Sequence, residues 1–245
     1  NAYVFMRQTT RTNAAAEIAE STNGSLQTLA ESAFAWTQYS ETIRKIGHFV
    51  PVTDEQLEDI DGILDLINAD MLMGVRQRLS SQILNGDGSA PNVTGLLDDG
   101  RSTTDVDGTG MFIADIMDKL IEECAVTGYA TANALVMHPR DWHGYRRATT
   151  SDGIYIAGSP AENGPRVMWG LPVVATTEIA QGTGLAGDFA GYARLAAQRG
   201  VEVQISSEHA SYFLQGVKAI KAEMRATLAV HRETAFAKSD DIVVS

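Results

Sequence analysis

The chain has 245 residues, 44% of them hydrophobic, and a formal net charge of −12. That length can bury a full core, while no apolar run reaches the ~18 residues of a membrane span. Ten acidic but only two basic residues fall in 51–100, and no basic patch with interleaved aromatics occurs anywhere, which argues against a nucleic-acid reader.

The first fifty residues read as an extended hairpin. "AYVFMRQTT" supplies one strand, and the alternation of Phe34, Trp36, Ile43, Ile46 and Phe49 with Gln38, Ser40 and Thr42 supplies the other. Between them "RTNAAAEIAESTNGSLQTLAE" is small and polar, with Asn23-Gly24 as a turn signal. Two strands with so long a soft tip bury little surface alone, so the hairpin is expected to lie on another subunit. Phe34, Trp36 and Arg44 are the candidate contact residues. The chain opens at Asn1 without an initiator Met, which predicts an upstream segment that has been removed or left out.

The acidic block reads as one helix over 54–84, about 46 Å long at ~1.5 Å per residue. Thr53 and Gln56 form a capping box, with Val52 and Leu57 at the staple positions. Leu57, Ile60, Leu64, Ile67, Met71, Val75, Leu79 and Ile83 recur at spacings of three and four and make one apolar stripe. Asp54, Glu55, Glu58 and Asp59 near the start and Arg76 and Arg78 towards the end suit the helix dipole. Asn85-Gly86 is expected to stop the helix as an αL-tolerant pair.

The stretch that follows, "ILNGDGSAPNVTGLL", fails as a ligand loop. Counting an EF-hand from Asn85 puts Ala90 sixth and Leu96 twelfth, and "DVDGTG" counted from Asp105 puts Ile116 twelfth. No Gly-Lys pair exists to make a P-loop. The stretch reads as a helix stop and a tight turn. Cys124, the single cysteine, excludes an internal disulfide framework and points to a buried apolar position in a reducing compartment.

"ANALVMHP" reads as a strand, and Pro139-Arg140-Asp141-Trp142 as the start of the next helix. His138 and His143 have no third ligand nearby for zinc, and Asp141 beside His143 has no accompanying nucleophile motif. "LPVVAT" is a further strand. "GTGLAG", Gly182–Gly187, matches the G-x-G-x-x-G spacing, and Glu202 stands where a ribose-binding acid belongs. Its context is wrong: Thr177–Gln181 separate it from the strand, and "DFAGYARLAAQRGVEVQIS" reads as two strands joined at Arg199-Gly200. A nicotinamide-dependent oxidoreductase built on Gly182–Gly187 is the different-class alternative. No catalytic residue, cofactor or metal is expected.

Five pieces in fixed order, "VPVTDEQLED", "ILNGDGSAPNVTGLL", "ALVMHPRDWH", "VMWGLPVVAT" and "MRATLAVHRETAFAK", resemble the major capsid proteins of tailed bacteriophages over nearly the whole chain. The resemblance implies an α+β phage major-capsid fold. Its units would be an extended β-hairpin loop, 1–50; a peripheral domain with a spine helix, 51–90 and 188–245; and an axial domain, 91–187. It implies a structural subunit that assembles with itself into hexamers and pentamers of an icosahedral head, a virion component built in the bacterial host cytoplasm. The shell would enclose double-stranded DNA without reading it, with portal, scaffold, protease and decoration proteins as further partners and no membrane. A bacterial nanocompartment shell of the same fold is the nearest alternative. Family precursors carry an N-terminal scaffolding segment and arm, and this chain opens at the hairpin. Some members join a loop Lys to an Asn with help from a Glu. Here Glu223 stands at the helping position, but Gly216 stands for the Asn and no Lys precedes Lys45, so no such isopeptide is expected.

Overall fold

A computed structural model describes residues 1–20, 27–59, 62–101, 103–150, 152–158, 164–209 and 212–242. The turn signal Asn23-Gly24 and the stripe residue Ile60 lie outside the described residues. In chain order the elements are β1 (Ala2–Thr12), β2 (Ala33–Thr42), β3 (Arg44–Thr53), α1 (Asp54–Asp59), α2 (Ile63–Asn85), β4 (Thr104–Asp105), α3 (Ile113–Val126) and β5 (Ala134–Met137). There follow α4 (Pro139–Arg147), β6 (Val167–Met168), β7 (Leu171–Ala175), β8 (Gly184–Gly187), α5 (Phe189–Tyr192), β9 (Ala193–Ser206), α6 (Tyr212–Gln215), β10 (Val217–Val230) and β11 (Phe236–Ser239).

The strands form a two-stranded sheet β1-β2, a three-stranded sheet β3-β10-β9 and a six-stranded sheet β4-β11-β8-β5-β7-β6. The hairpin β1-β2 is antiparallel, with an irregularity between Gln8 and Thr10. Strand β3 lies within the span expected for the hairpin, yet its partner is β10. Strand β11 lies within 188–245, yet it joins β8 and β4 in the six-stranded sheet. Alternation tells that a strand is half-buried, not which neighbour it pairs with.

The long helix is interrupted. Gly62 sits at φ 79, a left-handed conformation that ends one helical run, and α2 restarts with Leu66 N–H donating to Gly62 O. The 23 residues of α2 span about 34 Å rather than 46 Å. The expected start is present: Gln56 N–H donates to Thr53 Oγ1 and Thr53 N–H to Gln56 Oε1. Met71 and Val75 bury against Ala222, Met224 and Ala226 of β10, with Ile67 and Leu79 packed beside them. Leu64, also of the stripe, is exposed.

Gly86 does not end the helix in the left-handed region; it is extended, at φ −62 and ψ 132. Glycine is required there for space, because a Cβ would lie 1.9 Å from Val93 O. The loop beyond is closed by its own side chains. Gln82 accepts from Val93 N–H and donates to Asn92, while the Asp87 carboxylate accepts from Asn92 and Ser89. Those donors, Asn92 foremost, hold the Asp87 carboxyl below its usual range.

Helix α3 lays Ile113, Ile116, Met117, Leu120 and Cys124 on one face of the six-stranded sheet, against Leu135, Met137, Ala186 and Ala237. The opposite face, with Val136, Leu185 and Phe236, packs on Leu84, Leu96, Leu228 and Val230. The stretch expected as two strands joined at Arg199-Gly200 is one strand, β9. Register shifts against β10 between Glu223 and Ala226 absorb two extra residues in β9 as bulges, so the glycine bends the strand without ending it.

Candidate functional site

The hairpin carries an exposed apolar face. Phe34 and Trp36 stack at 6.2 Å between ring centroids and stand 48% and 57% exposed on β2. Gln8 pairs with Trp36, so alternation along β1 brings Met6 and Val4 to the same face, 52% and 53% exposed. A run of four such side chains in water, on a strand pair too thin to have its own core, is the pattern of a contact surface. Arg44 is elsewhere: it opens β3 opposite Ala226 of β10. Phe34 and Trp36 are therefore brought together, and Arg44 is not.

The other face of the hairpin is tied to the body by a buried charge network that single residues in the sequence gave no sign of. Arg7 on β1 reaches Glu233 at 2.7 Å and Glu41 on β2 at 3.8 Å. Arg101 reaches the same two carboxylates at 3.3 and 3.8 Å and donates to Gly95 O and Thr94 O. Thr94 Oγ1 donates to Glu41, so the Gly-rich loop is part of the anchor. Burial pulls the Arg101 guanidinium below its usual pKa, and the nearby Glu41 and Glu233 oppose that. The Arg7 guanidinium also lies 4.0 Å from the Tyr39 ring centre. Beside it, Gln8 N–H donates to His231 O, and Arg232 donates to the Gln8 side chain. Two carboxylates against two guanidiniums make a net-neutral, largely buried foursome, in which Arg7, Arg101 and Glu41 are also hydrogen-bonded to backbone or hydroxyl.

The enzymatic readings find no support in the geometry. Gly184–Gly187 is itself a central strand of the six-stranded sheet, between β11 and β5, and not a loop between a strand and a helix. Its glycines admit neighbours: a Cβ on Gly184 would meet Met117 at 2.5 Å, and one on Gly187 would meet Phe236 at 2.2 Å. The dinucleotide alternative is thereby overturned, because Gly184 and Gly187 lie inside the strand and not in a loop, and the four-residue helix α5 that follows has its N-terminus filled by the Asp188 carboxylate, which accepts from Gly191 N–H. Asp141 is buried and accepts from Gly182 N–H at 2.8 Å, which fixes that loop. His138 caps α4 by accepting from Arg140 N–H, and His143 is exposed. Cys124 is buried, its thiol donates to Ala186 O, and burial pushes its pKa up to about 11. Among the described residues no group of His, Cys, Asp and Glu gathers as a metal site.

Glu223 on β10 is covered and surrounded by Lys45 at 2.5 Å, Lys221 at 3.2 Å and Arg199 at 3.2 Å. Hydrogen bonds from Lys45 and Lys221 lower its pKa from 4.5 to about 2. A depressed carboxyl stabilises the fold above its unfolded pKa and loses that contribution as pH falls towards the folded one. The stability gap between the wild type and Glu223→Gln should thus be full above about pH 4.5 and close as pH drops towards 2. Urea unfolding of both at pH 6 and pH 3 measures it, and a gap unchanged between the two would contradict the assignment.

Comparison with known proteins gives one consistent picture. The model of the phage capsid family matches residues 1–241. A curated relative, the major capsid protein of Enterobacteria phage HK97, is 30% identical over 239 residues, which make up 97% of this chain and 60% of that protein. The chain thus spans about 60% of the length of the curated relative it matches. Among solved structures, one from Microbacterium phage Oxtober96 is 17% identical, covering 97% of this chain and 85% of that one at a TM-score of 0.74. The capsid of a native GTA particle is 15% identical, covering 99% and 85% at a TM-score of 0.75. One from Mycobacterium phage Adephagia is 12% identical, covering 100% and 86% at a TM-score of 0.75. At these identities the structural likenesses establish the fold: mixed helices and sheets arranged as in phage capsids.

Proposed function

From the premise that this chain belongs to the phage capsid family, a family of structural proteins and not of enzymes, we propose that it is the shell subunit of an icosahedral head. Copies assemble as hexamers and pentamers that enclose packaged double-stranded DNA. The hairpin β1-β2 is read as the extended loop that reaches a neighbour. The sheet β3-β10-β9 with α1 and α2 is read as the peripheral domain. The six-stranded sheet with α3 and α4 is read as the axial domain, which meets its copies around fivefold and sixfold axes. Assembly takes place in the bacterial host cytoplasm, with portal, scaffold, protease and decoration proteins as further partners and DNA as a non-specific neighbour.

The observation that carries this reading is the hairpin itself. Its apolar face, with Phe34 and Trp36 at the centre, is uncovered on its own chain, while its base is fixed by buried charges. Such a part is costly in water unless another surface covers it. Burial of an aromatic side chain contributes about 1.5–3 kcal/mol. Phe34→Ala with Trp36→Ala should therefore raise the protein concentration required for assembly by about 100-fold or more. The monomer should stay folded. Sedimentation velocity with negative-stain electron microscopy reads assembly, and circular dichroism reads the monomer. Unfolding of the doubly substituted monomer would show that the hairpin belongs to its own core. A wild-type chain that stays monomeric over a wide concentration range would defeat the shell reading.

A further inference from the structure

Along the outer half of β1, from Arg7 to Arg11, a cleft of about 410 Å³ opens against the turn Thr127–Tyr129. Three guanidiniums line it, those of Arg7, Arg11 and Arg232. The Arg7 charge is met within the buried foursome with Arg101, Glu41 and Glu233. The other two have no carboxylate partner among the described residues. Arg232 is half-buried, lies 4.5 Å from the Tyr192 ring centre, and donates to Gln8 and to Gly128 O. Arg11 is exposed and lies 4.7 Å from the Tyr129 ring centre. Tyr129 holds that position from a left-handed backbone, φ 48. The one carboxylate lining the cleft, Glu233, pairs with Arg7 and Arg101, so two stacked, positioned guanidiniums line it without an ion-pair partner among the described residues, on a molecule of net charge −12.

The matching anion is on the same chain but out of reach. Helix α1 carries Glu55, Glu58 and Asp59, all exposed and without a cationic partner among the described residues. Asp54 is already paired with Lys218. Helix α1 begins beside the first residue of β10, where Asp54 N–H donates to Gly216 O, and the cleft lies beyond the last, at His231–Arg232. The 14 residues of β10 put about 40 Å between the two patches. Complementary patches at opposite ends of one subunit make a head-to-tail contact, which closes into a ring when the rotation allows.

We propose that the cleft receives the carboxylates of α1 from a second copy of this chain, with Arg11 and Arg232 as their partners. The inference rests on the shell-subunit reading and names one of its contacts.

Charge reversal tests it on the intact chain. Arg11 is exposed, so Arg11→Glu should leave the thermal melt of the monomer unchanged and raise the concentration for half-assembly about 10-fold. Adding Glu55→Lys and Glu58→Lys to Arg11→Glu should bring it back to within about 2-fold of the wild type. The wild type should also require more protein as NaCl rises, and the Arg11→Glu chain should respond less. Wild type and Arg11→Glu assembling at the same concentration would overturn the inference and leave the shell reading intact. Loss of assembly in Arg11→Glu with no recovery in the triple variant would overturn α1 as the occupant. The same holds if a single-stranded oligonucleotide binds the wild type and not Arg11→Glu while the triple variant fails to recover, which would mark a phosphate site instead. A wild type that never assembles would sink the shell reading itself.

Discussion

Replacing Arg101 with alanine should destabilise the protein by about 3–5 kcal/mol, the loss expected when one partner of a buried ion-paired network is removed. Its side chain is 1% exposed and serves Glu41, Glu233, Thr94 O and Gly95 O together. Without it two carboxylates share the single guanidinium of Arg7 where they had two, and two backbone acceptors of the Gly-rich loop lose their donor. Equilibrium urea unfolding measures the loss. Hydrogen exchange should place the fastest new opening in β1 and β2, because the network is what fixes the hairpin base. A second comparison separates network from bulk. Combining Arg101→Ala with Glu233→Ala should cost clearly less than the sum of the two single changes, because the second removes the excess negative charge that the first created beside Arg7. A loss below about 1 kcal/mol for Arg101→Ala would mean that the foursome is solvated and does not anchor the hairpin.

Phe236→Ala should cost about as much, roughly 3–5 kcal/mol, for a different reason. Phe236 is fully buried at the start of β11, meets Phe189 edge-on at 5.3 Å, and fills the space left by the missing side chain of Gly187. It belongs to the cluster of Leu84, Leu96, Leu228 and Val230 that joins α2 and β10 to the six-stranded sheet. Gly187 offers no side chain to fill the gap, and Leu185 and Val136 are held in the sheet. Most of the cavity should therefore remain. Thermal unfolding reads the effect, and a change under about 1 kcal/mol would show that the site collapses around the gap.

Local chemistry was legible in the sequence, and long-range pairing was not. The Thr53/Gln56 capping box forms, and the strand "ALVM" runs into a Pro-started helix capped by His138, because both depend on residues a few places apart. The hairpin aromatics stand exposed where alternation put them. The spacing of apolar residues at 54–84 survived the break at Gly62, since three- and four-residue intervals carry no record of φ; the helix length was wrong for that reason. The assignment of β3 to the hairpin rested on alternation, which it does show, while its partner β10 lies far along the chain. Arg7, Glu41, Arg101 and Glu233 each look like an ordinary solvated charge in the sequence. Only the fold makes them one group. Arg44 lies in another sheet from Phe34 and Trp36 because β2 ends at Thr42 and the chain changes partner at Ile43.

Strand β10 has a consequence for how the molecule melts. Its Ala222, Met224 and Ala226 close the cluster under α2, and its Leu228 and Val230 close the cluster under the six-stranded sheet. One continuous backbone ladder thus has a foot in each core, and neither core can lose its part of the strand without fraying the other's. Sheets that look separable by strand count are joined into a single cooperative unit, so a disturbance at one end is shared along the strand instead of being absorbed where it arises.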